Sequence, residues 1–146
     1  MALTDSGEPA VWSTTHPSFT VFNPQLETFA SVWVPFDTDF SAFHDAAALV
    51  LAEHAAATEF FPLGTPPVNS FDVSSLPWTS FTGFTLNIDG GSRHLAPIFT
   101  LGRYVEREGR TFLPVALQIH HAAADGFHAS QLLNDLGLLL NDPSWL

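Results

Sequence analysis

Alternation of apolar and polar residues predicts β-strands along most of the chain. The predicted strands cover residues 28–35, 68–75, 80–88, 97–105 and 111–119, and a turn at the start of 16–22 leads into a further short strand. The last two strands are predicted to form a hairpin closed by residues 106–110. Residues 89–92, with two Gly, are predicted to be a turn, and residues 60–67, rich in Pro and with one Gly, are predicted to be a connector.

Two stretches have helical spacing instead. In residues 39–58 the apolar positions from Phe40 to Leu51 recur on one face, and Asp39 is a suitable N-cap. The second helix, predicted for residues 127–140, is stopped by Asp142 and Pro143. The order strand, helix, several strands, helix predicts one domain over residues 1–146 of the α/β (α+β) class. We expect a two-layer sandwich whose mostly antiparallel sheet is packed by helices.

Composition adds a surplus of apolar surface to this picture. Of 146 residues, 46 % are apolar, 14 are Phe and only 13 % are charged. A chain of this size has limited interior for so much apolar surface, so either a broad oligomer interface covers the rest or part of the fold is missing. No window approaches the length of a membrane helix, and the first residues lack the pattern of a signal peptide. The absence of Cys excludes disulfides and is compatible with a cytoplasmic location.

The charge distribution bears on possible partners. The formal net charge of −11 argues against nucleic acid as a partner. All four Arg nevertheless fall within residues 93–110, where Glu residues interleave with them. This window is either a local basic patch for an anionic coenzyme or an ordinary charged hairpin.

The most informative motif is His-His-x-x-x-Asp-Gly at residues 120–126, between the last strand and the last helix. Imidazole is the side chain best suited to moving a proton near neutral pH. Because successive side chains of a strand point to opposite faces, His120 and His121 cannot both face one substrate, and we favour His121 as the base. Asp125 is placed either to hold the loop around that ring or to cap the following helix. A metal site from both histidines, Asp125 and His128 is a less favoured alternative, because the spacing fits no standard ligand signature.

The segment from Gln118 to His128 closely resembles the active-site segment of chloramphenicol acetyltransferases. Further segments resemble that family in the same order: His16-Pro17-x-Phe19-Thr20-Val21-Phe22, Glu27-Thr28-Phe29, Phe61-Pro62-x-Gly64, Ser74-x-x-Pro77-Trp78, Phe84-x-Leu86-Asn87 and Ala96-Pro97-x-x-Thr100. The likeness covers nearly the whole chain and about the C-terminal two-thirds of the family. A shorter His-x-x-x-Asp element is shared with dihydrolipoamide acyltransferases, condensation domains and plant acyltransferases.

The resemblance implies an O-acetyltransferase that inactivates an antibiotic. By that resemblance, His121 is the general base that deprotonates a primary hydroxyl of chloramphenicol, and the alkoxide attacks the thioester of acetyl-CoA, the co-substrate. Ser74 matches the serine that donates to the tetrahedral oxyanion, and Thr100 matches a threonine that positions a water beside it. No permanently bound cofactor is implied.

The resemblance also implies binding residues and an assembly. The positions that match the lining of the antibiotic pocket are Phe29, Phe61, Phe84, Leu86 and Ile98, although apolar residues of this kind are also generic core. Arg103 and Tyr104 match a pair beside the coenzyme. The family forms homotrimers in which His121 of one subunit faces the pocket of the next.

The chain also departs from the family. Asp125 pairs in the family with an arginine from an N-terminal region that this sequence lacks, so Met1 is interpreted as an internal or misassigned start. Two other functions follow from this departure and from the wider relatives. The chain could be a non-catalytic remnant that associates with itself, or an acyltransferase for another hydroxylated, lipoyl or carrier-bound acceptor.

Overall fold

A computed structural model of the chain describes residues 2–3, 6–87 and 94–145. Within these ranges the chain forms nine β-strands and two α-helices. The strands are β1 (Ala2–Leu3), β2 (Pro9–Ala10), β3 (His16–Asn23), β4 (Thr28–Trp33), β5 (Ser70–Leu76), β6 (Ile98–Gly102), β7 (Val105–Arg107), β8 (Arg110–Phe112) and β9 (Val115–Gln118). The helices are α1 (Phe40–Glu53) and α2 (Gly126–Asn141), and a short 3₁₀ helix, Pro143–Trp145, follows α2.

Five strands form the main sheet in the order β4-β3-β5-β6-β9. The outer pairs, β3 with β4 and β6 with β9, are antiparallel, whereas β3 with β5 and β5 with β6 are parallel. The predicted fold class, a sheet layered with helices, is confirmed. The main sheet is however mixed rather than mostly antiparallel, because the long connections β3 to β5 and β5 to β6 allow parallel pairing.

Paired residues of neighbouring strands point to the same side, so the register sorts the side chains of the sheet into two faces. The face that we call the serine face carries Ser18, Ser31, Asp72, Ser74, Thr100 and Gln118, together with Phe22 and Phe29. The opposite face, the valine face, carries Phe19, Val21, Ala30, Val32, Val73, Phe99 and Leu117. Val21, Ala30 and Val32 are buried, which places the densest part of the core at β3 and β4.

Helix α1 begins as predicted but ends earlier. The Asp39 carboxylate accepts a hydrogen bond from the Ala42 N–H at 3.0 Å, which confirms the predicted N-cap. The helix ends at Glu53 rather than continuing to residue 58. Tertiary contacts account for this end, because the Ala57 carbonyl accepts from the Asn23 side chain and the Phe60 carbonyl accepts from the Ser31 N–H of β4.

Helix α2 confirms the second predicted helix and extends it by one residue at each end. No side chain of α2 is buried. Several of its apolar side chains are largely exposed, among them Phe127 at 73 % and Leu138 at 70 %. The apolar surplus seen in the composition therefore lies in part on this helix.

Two predictions about the strands need correction. Residue 16 already belongs to β3, so the predicted turn at the start of 16–22 is wrong. Residues 80–87 form no strand; Leu86 donates its N–H to the Gln118 side chain rather than to a strand backbone, at 3.0 Å. Alternation without a neighbouring backbone ladder does not make a strand. Residue 88 and the predicted turn at 89–92 lie outside the described residues.

The predicted hairpin is confirmed with one interruption in each arm. β6 pairs with β9 and β7 with β8, and residues 103–104 and 113–114 separate the two ladders. Pro114 has no N–H to continue a ladder, and its carbonyl accepts from the Gly102 N–H at 2.9 Å. The closing turn has positive φ at Glu108 (53°) and Gly109 (73°), which suits a tight hairpin turn.

Candidate functional site

Two hydroxyl side chains meet at the centre of the serine face. Ser74 on β5 lies opposite Thr100 on β6, and the Ser74 Oγ and Thr100 Oγ1 atoms are 3.3 Å apart in a hydrogen bond. Thr100 is buried at 2 % exposure, and Ser74 is half-buried. With Thr100 as the donor, the Ser74 proton is free to point at a ligand above the sheet.

An apolar cleft of about 590 Å³ opens over this pair. Besides Ser74 and Thr100, its walls include Phe22, Phe29, Trp78, Phe84 and Leu86. Three of the five predicted acceptor-binding residues, Phe29, Phe84 and Leu86, therefore come together here. The dimensions fit a small aromatic ligand lying over a hydroxyl floor.

The other two predicted acceptor-binding residues do not line this cleft. Phe61 packs against Phe60 with ring centroids 4.4 Å apart, and Phe60 in turn packs on Phe29 at 5.6 Å, so Phe61 supports the wall from behind. Ile98 lies two residues before Thr100 on β6, opposite Asp72 and Gln118. It shares the serine face but lies beyond the cleft.

The two histidines have different surroundings. His120 is half-buried, and its Nδ1 accepts the Ala122 N–H at 3.1 Å while its carbonyl accepts the Ala123 N–H at 2.8 Å. His121 is exposed in the turn that follows β9 and does not line the apolar cleft above Ser74. Within one chain, therefore, the structure does not bring His121 to the Ser74 hydroxyl.

Asp125 is the N-cap of α2, which confirms the predicted capping role. Its Oδ1 accepts the His128 N–H at 3.1 Å and lies 2.7 Å from His128 Nδ1. Hydrogen bonds from the His128 backbone, and then from the His128 ring, hold the pKa of the Asp125 carboxyl below its ordinary value. The partner expected from the family was an arginine; here the carboxylate is exposed and its partner is the histidine three residues later.

The predicted coenzyme residues lie at the break between β6 and β7. Arg103 is exposed and donates its N–H to the Thr79 carbonyl at 2.7 Å, and the Tyr104 side chain is 62 % exposed. Arg110 on β8 lies over the Phe112 ring, 5.6 Å from its centroid. Arg93, the remaining member of the predicted basic window, lies outside the described residues.

The structure contains a second cleft that the sequence did not predict. This polar cleft, of about 350 Å³, adjoins the apolar cleft at Leu86 and is lined by Asn87, His94, Gln118 and His120 among others. His94 lies 3.5 Å from the Asp72 carboxylate. The alternation of β5 places Asp72 on the face of Ser74 and could have identified it, but no local pattern points to His94.

Two negative findings apply to the residues that the structure describes. In those ranges no three or more His, Asp or Glu side chains are grouped so as to hold a metal ion. Neither α1 nor α2, nor any other helix of the described ranges, is long and apolar enough to cross a membrane.

Known proteins are similar to the chain along most of its length. The family model described as chloramphenicol acetyltransferase (CAT) matches residues 1–137. The chloramphenicol acetyltransferase of Streptomyces acrimycini is 66 % identical over 146 residues, 100 % of this chain and 66 % of that protein. The Bacillus pumilus enzyme of the same name is 40 % identical over 140 residues, 95 % of this chain and 64 % of that protein. The chain thus spans about two thirds of the length of these relatives.

Solved structures show the same fold at low identity. A chloramphenicol acetyltransferase superposes with a TM-score of 0.75 at 23 % identity, over 86 % of this chain and 61 % of that one. The dihydrolipoamide acetyltransferase (E2p) of Azotobacter vinelandii superposes with a TM-score of 0.72 at 24 % identity, over 97 % of this chain and 60 % of that one.

Proposed function

The chain belongs to the chloramphenicol acetyltransferase family, and from that premise we propose that it transfers the acetyl group of acetyl-CoA to a primary hydroxyl of chloramphenicol or a similar small aromatic alcohol. The observation that carries the proposal is the hydrogen-bonded Ser74–Thr100 pair on the floor of an apolar cleft. Phe29, Phe84 and Leu86 line that cleft and are proposed to hold the acceptor, with Phe61 and Ile98 behind and beside them.

In the proposed reaction His121 takes the proton of the acceptor hydroxyl, and the alkoxide oxygen forms a bond to the thioester carbonyl carbon. Ser74 donates a hydrogen bond to the resulting oxyanion, and the buried Thr100 hydroxyl fixes the position of Ser74. When the tetrahedral intermediate collapses, the carbon–sulfur bond breaks and the CoA sulfur receives the proton that His121 took. Asp125 acts by holding the turn that carries His121 at the start of α2.

We propose further that the working site forms between copies of the chain. His121 is exposed and does not border the Ser74 cleft of its own chain. The apolar side chains of α2, such as Phe127 and Leu138, are exposed as well, and burial in an assembly would remove them from water. A homotrimer, in which His121 of one subunit faces the cleft of the next, accounts for both features.

The exposed Arg103 and Tyr104 follow directly after β6, the strand that carries Thr100, and we propose that they contact the coenzyme. A guanidinium suits the phosphate groups of CoA, which is a substrate here rather than a bound cofactor. A single acetyltransferase-like domain and a cytoplasmic location stay predictions from the sequence.

The test is release of free CoA thiol from acetyl-CoA in the presence of chloramphenicol. We expect turnover by the wild-type chain and a loss of about 10²–10⁴ in kcat for His121→Ala, the usual contribution of a general base. His44→Ala is the matched control, because His44 is another exposed histidine, on α1. Absence of thiol release by well-folded chain, or equal rates for His121→Ala and wild type, would discard the proposal.

Co-expression of Ser74→Ala and His121→Ala chains tests the assembly. If each site takes Ser74 from one chain and His121 from another, random mixing restores about a quarter of the sites, although neither variant is active alone. No recovery in an oligomer that demonstrably contains both variants would place both residues in one chain and contradict the shared site.

One alternative has an observation in its favour. The exposed apolar side chains of α2 would also suit a chain that associates with itself without catalysis. Size measurement in solution together with the thiol assay separates the two, because a discrete and inactive oligomer supports association alone. If the natural acceptor is another hydroxylated or a lipoyl compound, that compound should compete with chloramphenicol in the thiol assay.

A further inference from the structure

The polar cleft adjoins the proposed acceptor site, and Leu86 lies at the edge of both clefts. The Leu86 N–H donates to Gln118 Oε1 at 3.0 Å, which fixes the wall between them. Whereas most residues that line the apolar cleft are aromatic or aliphatic, the polar cleft presents His94, Asn87 and the Gln118 amide. A ligand that fills the apolar cleft can therefore extend a polar group into the second one.

The Asp72–His94 pair stands at this polar end. His94 Nε2 is 3.5 Å from Asp72 Oδ2, and the two side chains are 37 % and 42 % exposed. Nε2 itself is shut off from solvent and has no hydrogen-bond partner, so the exposed part of the ring lies elsewhere. Burial raises the pKa of the Asp72 carboxyl, and the neighbouring His94 offsets this in part. Neither group takes part in the proposed acetyl transfer.

The register relates this pair to the reacting centre. Asp72 lies two residues before Ser74 on β5 and points to the same serine face. Two residues along a strand span about 7 Å, so Asp72 lies about 7 Å from Ser74 along β5, and His94 contacts Asp72. That separation is within the length of one small-molecule acceptor.

The chemistry of the pair favours one kind of ligand group. A carboxylate beside Nε2 stabilises the tautomer with its proton on Nε2, which leaves Nδ1 as a hydrogen-bond acceptor. The negative charge of Asp72 acts in the same direction, because it attracts donors and repels anions. The Gln118 oxygen is already occupied by the Leu86 N–H.

We propose that the polar cleft is a specificity subsite, in which His94 binds a second hydrogen-bond donor of the acceptor alcohol, a hydroxyl or amide N–H, and Asp72 positions the His94 ring. The inference rests on the proposed function for the identity of the site. It names the acceptor class as alcohols that carry such a donor, and it disfavours acceptors that are anionic or wholly apolar at this end.

Equilibrium binding tests the subsite without depending on turnover. Trp78 lines the apolar cleft, so quenching of its fluorescence reports ligand binding. The probes are chloramphenicol and two analogues, one with the amide nitrogen methylated and one without the secondary hydroxyl. With wild-type chain we expect one analogue to bind about tenfold or more weakly, the usual cost of a lost hydrogen bond to a buried polar group. Equal binding of all three probes within threefold would overturn the subsite and requires no variant.

Variants then assign the effect to the pair. In His94→Phe, the affinity for chloramphenicol should fall by the same factor, whereas the affinity for the affected analogue should fall no further. His94→Asn replaces this variant if His94→Phe does not fold. Asp72→Asn, which keeps an oxygen acceptor, should bind chloramphenicol better than Asp72→Leu. His44→Phe and Asp45→Asn are the controls, because they alter an exposed Asp–His pair on α1.

The outcomes separate the two proposals. If His94→Phe lowers the affinity for all three probes by the same factor, other residues discriminate between the probes and the proposed subsite is wrong. If wild type discriminates between the probes but releases no CoA thiol, the subsite stands and the acetyl transfer fails.

Discussion

Replacement of Ser74 by Ala is the sharpest test of the proposed chemistry. The change removes one hydroxyl from the floor of the apolar cleft and leaves the apolar walls intact. Loss of one preorganised oxyanion donor costs about 10²–10³ in kcat, or about 2.7–4 kcal/mol. Because the oxyanion exists only near the transition state, KM for the acceptor should change little.

Ser74→Ala should also lower the free energy of unfolding. Ser74→Ala leaves the Thr100 hydroxyl, buried at 2 % exposure, without its 3.3 Å partner. An unsatisfied buried hydroxyl costs about 1–3 kcal/mol. Adding Thr100→Val should recover part of this loss, since it removes the orphaned hydroxyl, but should not recover activity. The double variant should therefore be more stable than Ser74→Ala, but no more active.

The matched control is Ser75→Ala. Ser75 also borders the apolar cleft, but alternation along β5 directs its side chain to the face of the sheet opposite to that of Ser74. The measurement is kcat and KM by CoA thiol release, with thermal unfolding of each variant. A Ser74→Ala chain within threefold of wild type in kcat, or a Ser75→Ala chain with the same loss, would refute the assignment of the oxyanion donor.

Three further substitutions test the scaffold around the site. The pKa of Asp125 is lowered in the folded chain, so its carboxylate stabilises the fold at pH values above its ordinary pKa of 3.8, and this stabilisation is lost as the pH falls. The difference in Tm between wild type and Asp125→Asn should therefore shrink on acidification. A difference that grew would count against the hydrogen bonds to Asp125. Gly109→Ala places a side chain at φ +73° and should cost about 1 kcal/mol in urea unfolding, whereas Gly83→Ala, with open space around its Cα, should not. Asp39→Ala removes the N-cap of α1 and should cost about 1 kcal/mol, with Asp45→Ala as the exposed control.

Local patterns in the sequence identified the helices and most strands, since capping, periodicity and turn residues act over a few neighbours. Local pattern predicts Asp39 as a cap and Asp125 as either a cap or a brace of the histidine loop, and both carboxylates accept the N–H groups expected of a cap. The order of strands is a different matter. Nothing in β3 or β5 alone states that they pair in parallel, because β4 and α1 lie between them in the chain.

Predictions failed where tertiary context overrode a local pattern. Residues 80–87 alternate like a strand, yet Leu86 bonds a side chain instead of a ladder. Among site residues, Ser74 and Thr100 were found by resemblance, and only the register shows that their hydroxyls meet. His94 stands 22 positions from Asp72 and has no sequence signal of its own, so the polar cleft could not be predicted.

In the turn between β9 and α2, the two adjacent histidines have different surroundings. At one end His120 accepts the Ala122 N–H, and at the other Asp125 accepts the His128 N–H, so side chains fix both ends of residues 120–125. Within the described part of the chain, the His121 side chain forms no hydrogen bond of its own and stays exposed. We propose that the exposed His121 ring, held on this turn, meets the oxyanion site of another copy of the chain. The same local bonds that fix the turn therefore favour a site completed by a second copy.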